Sequence, residues 1–372
     1  MSMSTCPKCS RSYAYDLPLC TWCAVELTKS EPVTGKIIAV TKVEAPSIGH
    51  EDVPYWVALV CGDDDTLQLR ENDTPSEVGA TVPLAASATQ ELAAFGVIGT
   101  GTMGRGLTEL LLKRGHCVVW VGRSAERLER ARRCLLDRLS RVMEESQVTE
   151  ADTRLTLSDD YAALADSDVV IEAVIEVLEP KAQVLAAAEA HMRPDAVLAT
   201  NTSGLPLDEL GSVLAHPGRF GVLHFFNPPS RMRLVETAIG AATNEATSAA
   251  LDNIAIGLGK IPVRVSATPA FAVNRVLMPM LNEAIRELEE GVAPAQSIDD
   301  AIRLGLNHPM GPLALADLIG LDVVFEIMGN LAVRTGDETY RPRPMLGDLV
   351  AEGKLGRKTG EGFYCYEDRV RG

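Results

Sequence analysis

The apolar run Ala94-Phe-Gly-Val-Ile98 leads directly into Gly99-Thr-Gly101-Thr-Met-Gly104, and leucines at helical spacing follow as far as Leu112. This order predicts a β-strand, a tight glycine turn and an α-helix. Such a turn lets the backbone approach a pyrophosphate closely, and the N-terminus of the helix attracts its negative charge. We therefore predict a doubly wound parallel sheet that binds a dinucleotide. The predicted contact residues are Gly99, Gly101, Thr102, Met103 and Gly104.

The next predicted strand, Cys117-Val-Val-Trp-Val121, ends at Gly122-Arg123-Ser124. In NAD-binding versions of this fold an acidic residue commonly stands at this end and binds the ribose hydroxyls. Here that carboxylate is missing, and a guanidinium and a hydroxyl stand where they could bind a 2′-phosphate. We predict that Arg123 and Ser124 favour NADP(H) over NAD(H). The alternative is that Arg123 is a solvated surface residue and NAD is used.

Two further apolar runs, 168–174 and 197–203, predict buried strands of the same sheet. Ligands bind at the carboxyl ends of parallel strands in a doubly wound sheet. Glu176, Asn201 and Ser203 follow these two runs, so we expect all three at the ligand-binding edge.

Residues 219–239, RFGVLHFFNPPSRMRLVETAI, predict a hairpin of two apolar strands around Pro228-Pro229-Ser230. If the hairpin is centred near Ser230, His224 and Glu236 lie opposite each other, about 5 Å apart at Cβ. A carboxylate beside a histidine holds the ring in one tautomer, as a general base requires. The alternative, from the hairpin alone, is a structural histidine–glutamate pair.

These motifs resemble the L-3-hydroxyacyl-CoA dehydrogenases over residues 94–372, in order and in spacing. The matching signatures are GVIGTGTMGRG, VVIEAVIE, NTSGLPL, RFGVLHFFNPPSRMRLVE, TPAFAVNR, HPMGPLALADLIGLD and GRKTGEGFY. The resemblance implies a Rossmann NAD(P)-binding domain over 94–267. It also implies an all-α domain over 268–372 that binds substrate and forms a homodimer.

The resemblance further implies which residues form the site. They are the catalytic set His224, Glu236, Ser203 and Asn274, the site residue Asn227, and Glu176 and Lys181 on the nicotinamide side. Hydride would pass between C3 and the nicotinamide while His224 exchanges the proton of the 3-oxygen. Three residues depart from the family pattern. Gly122 replaces the ribose-binding acid, Val177 stands where the family often has a polar residue, and Ala270 replaces a common glycine. None of these departures removes a catalytic group.

Apolar spacing predicts a helix from Phe271 to Glu290 and further helices at about 297–306 and 312–329. Pro309, Gly311 and Pro312 separate the last two. We interpret His308, in this break, as a loop histidine.

The first 23 residues contain two CxxC pairs separated by ten residues. Two such pairs can place four thiolates tetrahedrally around Zn²⁺. The predicted ligands are Cys6, Cys9, Cys20 and Cys23. A closed site with four thiolates is structural, so we expect zinc to take no part in the chemistry.

Alternating apolar residues between 35 and 83 predict several short strands and a small barrel. Residues 4–84 resemble the DUF35 family, in which a rubredoxin-like zinc ribbon precedes an OB-fold and which often accompanies acyl-CoA enzymes. We assign the zinc ribbon to 1–28, the OB-fold to 29–84 and a linker to 85–93. Residues 1–93 contain 6 Lys and Arg against 13 Asp and Glu, a net charge of −7. This charge favours a partner enzyme or CoA substrates over an acidic carrier protein docked on this module.

The 372 residues are 46% apolar and 23% charged, the balance of an ordinary globular protein. The formal net charge of −16 argues against nucleic-acid binding, which needs a basic surface. No apolar run approaches the roughly 20 residues of a membrane span, and the N-terminus lacks the pattern of a secretory signal. We expect a cytoplasmic protein that binds neither nucleic acid nor membrane.

The leading hypothesis is an oxidoreductase that interconverts 3-hydroxyacyl and 3-oxoacyl thioesters with NAD(P), the acyl group being carried by CoA. One alternative is a dehydrogenase of carrier-protein-bound groups, such as glyceryl groups oxidised toward methoxymalonyl-type polyketide extender units, or polyketide chains reduced at a 3-oxo group. Another is a dehydrogenase of free β-hydroxy acids, although those lack the HFFNP hairpin. The last is a non-catalytic acyl- or nucleotide-binding scaffold, against which the intact catalytic set argues.

Metal analysis tests the zinc prediction. The full chain should contain one Zn²⁺, and Cys20→Ser should lose it because three thiolates no longer close the tetrahedron. Turnover should survive if the metal is only structural. Full zinc content in Cys20→Ser would contradict the assignment.

Overall fold

The computed structural model describes residues 94–366 throughout. Ahead of them it describes the short stretches 3–5, 12–13, 28–30, 34–43, 55–62, 67–72, 77–78 and 80–83. The predicted zinc ligands Cys6, Cys9, Cys20 and Cys23 lie outside the described residues, as does the predicted linker 85–93.

The N-terminal strands form two antiparallel sheets. In the first sheet, β1 (Met3–Thr5) pairs with β2 (Ser12–Tyr13) and with β3 (Thr28–Ser30). The second sheet has the order β6-β5-β4-β7 and consists of β4 (Thr34–Val43), β5 (Tyr55–Gly62), β6 (Leu67–Asn72) and β7 (Thr81–Pro83). The alternating runs of the sequence coincide with β4, β5 and β6. The zinc ribbon and the closed OB-fold barrel stay predictions.

An eight-stranded sheet has the order β10-β9-β8-β11-β12-β13-β14-β15. Its strands are β8 (Ala94–Ile98), β9 (Cys117–Val121), β10 (Leu155–Ser158), β11 (Val169–Glu172), β12 (Val197–Thr200), β13 (Phe220–Phe225), β14 (Leu234–Ile239) and β15 (Ile261–Arg264). Strands β8 to β13 are all parallel, and β14 is antiparallel to β13. The strand order reverses between β8 and β11, which is the ligand-binding position of a doubly wound sheet. The predicted Rossmann-type sheet is confirmed.

Six helices accompany this sheet. They are α1 (Thr102–Lys113), α2 (Ala125–Ser140), α3 (Glu145–Thr153), α4 (Leu178–Glu189), α5 (Leu207–Ser212) and α6 (Glu245–Gly257), with 3₁₀ turns at Tyr161–Asp166 and Pro217–Arg219. Apolar side chains of α1, α2 and α6 pack on one face of the sheet, and those of α4 and α5 pack on the other. Leu107 and Leu111, one turn apart on α1, are fully buried, which explains the helical spacing of the leucines.

Helices also form the region after the sheet. They are α7 (Val273–Glu289), α8 (Ala295–Gly305), α9 (Pro312–Ile319), α10 (Leu321–Thr335) and α11 (Pro344–Ala351), with a 3₁₀ turn at Glu338–Tyr340. The helical stretch predicted at about 312–329 consists of two separate helices, α9 and α10. Gly320 lies between them with φ +106°, a left-handed conformation that ends the helix and that glycine adopts without strain. His308 lies in the loop between α8 and α9, as predicted.

A buried aspartate on α8 holds the start of α9. The Asp299 carboxylate accepts hydrogen bonds from the amides of Leu313 (2.7 Å) and Ala314 (2.9 Å). The Tyr364 hydroxyl donates to the same carboxylate (2.8 Å). Asp299 therefore caps α9 from a neighbouring helix and ties the C-terminal segment to both helices.

A second aspartate, Asp317 on α9, binds the same segment. It accepts hydrogen bonds from the amides of Phe363 and Tyr364 (3.0 Å each) and from the Tyr366 hydroxyl (2.9 Å). Burial raises the pKa of Asp317, and the nearby Asp299 carboxylate acts in the same direction. The end of the GRKTGEGFY signature is thus held against α8 and α9.

Replacing Asp299 by alanine tests this account of the helical region. The change leaves two helix amides and one hydroxyl without their acceptor, so we expect a loss of about 2–4 kcal/mol in the free energy of unfolding, measured by urea denaturation. Asp300→Ala is the matched control, because Asp300 is an exposed neighbour paired with Arg303. Equal unfolding midpoints for the two variants would contradict a capping role for Asp299.

Candidate active site

The glycine turn after β8 leaves open space where the backbone can approach a ligand. Gly99 has φ +114°, and a Cβ there would lie 2.5 Å from the carbonyl oxygen of Ala173. A Cβ on Gly104 would lie 2.0 Å from the Gly99 oxygen, whereas a Cβ on Gly101 would meet no atom within 4 Å. Within residues 94–366 no side chain caps the first turn of α1. The turn and the uncapped amides therefore fit a dinucleotide pyrophosphate.

The end of β9 gives a mixed result for the cofactor prediction. A Cβ on Gly122 would lie 2.9 Å from Leu128 Cγ and from Thr100 Cγ2, so packing alone explains a glycine at this position. The Ser124 hydroxyl accepts a hydrogen bond from the Arg127 amide (3.4 Å) and caps α2. Arg123 is exposed. A preference for NADP(H) would therefore depend mainly on Arg123.

A buried ion pair lies beneath the ligand-binding edge. The Lys181 ammonium is 2.8 and 2.9 Å from the two carboxylate oxygens of Glu172, and both side chains are at most 1% exposed. The Thr200 hydroxyl and the Val174 amide also donate to Glu172, each at 2.6 Å. These contacts fix the ends of β11 and β12 against α4. The predicted contact of Lys181 with a cofactor stays a prediction, since its ammonium is enclosed by carboxylates.

Glu176 orders the loop that follows β12. Its Oε1 accepts hydrogen bonds from the Thr202 hydroxyl (2.5 Å) and the Ser203 amide (2.7 Å). Its Oε2 lies 3.3 Å from the Lys181 ammonium, and 32% of its side chain is exposed. The structure thus brings Glu176 and Ser203 together at the edge where the sequence places them.

The predicted asparagines lie in different surroundings. Asn201 is buried, and its Oδ1 accepts a hydrogen bond from the Phe225 amide (2.8 Å), so it aligns the ends of β12 and β13. Asn227 is exposed in the connection between β13 and β14. Asn274 is half-buried in the first turn of α7. Their roles at the site stay predictions.

The hairpin register places His224 opposite Glu236, as the sequence predicts. The His224 Nδ1 lies 2.7 Å from Glu236 Oε2, and both residues are buried. The His224 ring also contacts Phe226 and Phe271, with ring centroids 4.6 and 5.5 Å apart. Because Nδ1 is engaged by the carboxylate, Nε2 is the nitrogen that remains for a substrate.

The second oxygen of Glu236 binds the start of the helical region. Glu236 Oε1 accepts hydrogen bonds from the amides of Ala272 (3.0 Å) and Val273 (2.9 Å), at the N-terminus of α7. Ala270 and Phe271 lead into this turn with φ +60° and +51°. This conformation favours glycine, which gives a physical reason for the glycine common in the family at position 270.

Sequence reasoning missed two charged residues that support the site. The sequence pattern could have identified Glu172, because it is an acidic residue within an otherwise apolar strand. No sequence pattern identified Lys260. In the structure its buried ammonium donates hydrogen bonds to the carbonyls of Pro229 (2.5 Å) and Met232 (2.8 Å). Burial, together with the nearby Arg114, lowers the pKa of Lys260. Lys260 thus fixes the connection between β13 and β14, which includes Asn227.

Among the described residues, no group of three or more His, Cys, Asp or Glu side chains could hold a metal ion. The same part of the chain has no helix long and apolar enough to cross a membrane.

A doubly wound sheet with an open glycine turn, beside a buried histidine–glutamate pair, defines a dinucleotide-dependent oxidoreductase. Comparison with known proteins agrees. Residues 94–268 match the NAD-binding domain of 3-hydroxyacyl-CoA dehydrogenase, and residues 271–366 match the C-terminal domain of the same family. The chain therefore belongs to the 3-hydroxyacyl-CoA dehydrogenase family. It is an NAD-dependent oxidoreductase that interconverts 3-hydroxyacyl and 3-oxoacyl thioesters.

Individual relatives cover the same part of the chain. A probable 3-hydroxybutyryl-CoA dehydrogenase of Deinococcus radiodurans is 41% identical over 276 residues, which are 73% of this chain and 99% of the relative. The crystal structure of FadB2 from M. tuberculosis has a TM-score of 0.71 at 37% identity and covers 73% of this chain and 98% of that one. The structure of (S)-3-hydroxybutyryl-CoA dehydrogenase PaaH1 from Ralstonia eutropha has a TM-score of 0.69 at 38% identity, covering 74% and 99%. The relatives from Deinococcus radiodurans and Ralstonia eutropha are named as dehydrogenases, so the scaffold hypothesis is not supported.

The pH dependence of stability tests the Glu236 contacts. Burial acts to raise the pKa of Glu236, but hydrogen bonds from His224 and from the Val273 and Ala272 amides outweigh it, and the pKa lies below the ordinary value. A carboxyl group with a lowered pKa stabilises the folded state above its unfolded pKa, about 4.3, and this contribution is lost as the pH falls through the folded value.

We therefore expect Glu236→Gln to lower the free energy of unfolding by about 1–3 kcal/mol at pH 7. This difference from the unmodified chain should shrink below about pH 4, where the glutamate becomes protonated. Glu245→Gln, an exposed glutamate in the first turn of α6, is the control. A difference that is the same at pH 7 and pH 3.5 would contradict the assigned contacts.

Proposed function

We propose that this chain is a 3-hydroxyacyl-CoA dehydrogenase in which His224 is the general acid and base. The observation that carries the proposal is the 2.7 Å contact between His224 Nδ1 and Glu236 Oε2, beside the ligand-binding edge of the sheet. A histidine held in this way exchanges a proton through Nε2 without turning its ring.

The proposed cofactor contacts are those of the glycine turn. The residues are Gly99, Gly101, Thr102, Met103 and Gly104, together with Glu176 at the nicotinamide end. A bound nicotinamide supplies the hydride acceptor for oxidation and the hydride donor for reduction. Lys181 acts on this end through Glu176, which it holds in place.

In the oxidation direction, the His224 Nε2 accepts the proton of the 3-hydroxyl while hydride leaves C3. Glu236 stabilises the resulting imidazolium, and it remains ionised because the α7 amides also bind it. In the reduction direction, the same imidazolium donates its proton to the 3-oxygen. The help from a positioned acid or base of this kind is typically about 10²–10⁴-fold.

Ser203 and Asn274 complete the proposed set by hydrogen bonding to the 3-oxygen or to the thioester carbonyl. The backbone of Ser203 is fixed by Glu176, and Asn274 directly follows Val273, whose amide binds Glu236. The backbone that bears both side chains is therefore fixed by residues of the proposed site, Glu176 and Glu236. This favours a constant orientation of the substrate.

Two observations support a short acyl chain on CoA. The relatives from Deinococcus radiodurans and Ralstonia eutropha are named as 3-hydroxybutyryl-CoA dehydrogenases. The cavity beside Ser203 has a volume of about 310 Å³, at the small end of the usual range for ligand pockets, about 300–1,000 Å³. Nothing comparable favours a carrier-protein substrate, and the negative charge of residues 1–93 opposes an acidic carrier.

The remaining assignments extend to the whole chain. We infer a zinc ribbon over 1–28 and an OB-fold over 29–84, followed by a linker, the Rossmann domain at 94–267 and the helical domain at 268–372. The N-terminal module would bind a partner enzyme. Exposed apolar side chains of the helical domain support a homodimer, and they include Val276, Leu304, Leu306 and Leu318.

Substitution of the histidine tests the assigned chemistry. His224→Asn should lower kcat by about 10²–10⁴-fold with 3-hydroxybutyryl-CoA, because the proton acceptor is lost. Binding of NADH, measured by fluorescence titration, should remain nearly unchanged. His308→Asn, in the loop before α9, is the control and should keep normal turnover. A near-normal kcat for His224→Asn would remove the proposed base.

Cofactor preference tests the role of Arg123. If its guanidinium binds the 2′-phosphate, the unmodified chain prefers NADPH, and Arg123→Ala loses about tenfold to a hundredfold in kcat/KM for NADPH but not for NADH. Arg130→Ala, an exposed arginine further along α2, should change neither value. Equal use of both cofactors by the unmodified chain would make Arg123 a surface charge and the enzyme NAD-dependent without preference.

A further inference from the structure

The cavity beside Ser203 lies between the edge of the sheet and helix α10. Glu176 and Ser203 contribute to one side. Leu205 and Ala270 add apolar surface next to them. If Ser203 holds the reacting end of a substrate, as proposed above, an acyl chain that extends from it into this cavity meets α10.

The opposite side of the cavity has three polar residues on one face of α10. Glu326, Asn330 and Arg334 are spaced four residues apart, which aligns them along a single helix face. We call these three residues the polar wall. Ile327 and Leu331 lie beside it and also line the cavity.

The side chains of the polar wall are available to a ligand. Within the part of the chain that the structure describes, no hydrogen bond or ion pair joins the side chain of any of the three to another residue. Burial lowers the pKa of Arg334, while the negative charges of Glu209 and Glu176 act in the opposite direction. A plain alkyl chain packed against this wall would cover a guanidinium and an amide and offer them no acceptor, which is unfavourable.

We propose that the polar wall selects acyl chains that bear a second hydroxyl group beyond C3. The oxygen of such a group accepts hydrogen bonds from Arg334 and Asn330, and its hydrogen is donated to Glu326. A neutral hydroxyl fits better than a carboxylate, because Glu209 and Glu176 already act on the Arg334 guanidinium with their negative charges and Glu326 adds a further carboxylate to the cavity. The inference rests on the proposed function, since it takes Ser203 as the contact of the reacting end.

The experiment uses the full chain and compares three CoA thioesters of equal acyl chain length. They are (S)-3-hydroxyhexanoyl-CoA and the two 5-epimers of 3,5-dihydroxyhexanoyl-CoA, each of which has one more oxygen than the plain substrate. We expect kcat/KM to favour one dihydroxy epimer by about tenfold or more, the usual effect of hydrogen bonds to a charged group. Arg334→Leu and Asn330→Leu should each reduce this preference severalfold and keep or raise turnover of the plain substrate.

Two controls separate selectivity from folding and from charge. Arg303→Leu removes the same charge from an exposed site on α8 and should keep the preference of the unmodified chain. Arg334 and Asn330 are exposed in the cavity, so their replacement is expected to leave the thermal midpoint nearly unchanged.

A chain that turns over both substrates equally, or prefers the plain one, would overturn the inference and leave the proposed function intact. A preference for the hydroxylated chain that persists in both leucine variants would also overturn it, because the polar wall would then not be its origin. Failure to turn over either thioester would contradict the proposed function itself and this inference with it.

Discussion

The buried Glu236 carboxylate is the contact on which the site and the helical region both depend. One of its oxygens binds His224, and the other accepts the two amides at the start of α7. A buried carboxylate is tolerated only when its hydrogen bonds are made. The position of α7 and the orientation of His224 are therefore set by one group. Under the proposed function, a substrate between the sheet and the helices would meet a histidine that is supported from both.

The pairing of His224 with Glu236 was predictable from the sequence because it depends on strand pairing. In an antiparallel hairpin with a turn at Pro228-Pro229-Ser230, residues equally far from the turn face each other, and the structure pairs His224 with Glu236. The glycine turn was predictable for a similar reason, since strand, glycines and helix are contiguous. The α7 amides were not predictable, because they reach Glu236 only through the tertiary fold.

Elsewhere, local signals were incomplete. The apolar pattern over 312–329 continues across Gly320, and only the positive φ of that glycine separates α9 from α10. The missing acid at Gly122 indicated NADP, yet a Cβ there would lie only 2.9 Å from Leu128 and Thr100, so local packing also favours glycine. Lys260 gave no signal at all, because its partners are backbone carbonyls that the fold brings to it. The sequence predicts helices and strands with periodic apolar residues, and residue pairs that face each other across a turn. Contacts between segments far apart in the sequence can be identified only from the structure.

The most direct test of the central claim is the tautomer of His224. The ¹⁵N spectrum of protein labelled at its six histidines reports which ring nitrogen is protonated, and the signal is assigned by its loss in His224→Asn. With Glu236 bound to Nδ1, the account predicts a neutral ring protonated at Nδ1 and bare at Nε2, at a pH where the imidazole is uncharged. Protonation at Nε2 instead would mean that Glu236 does not hold the base, and would contradict the account.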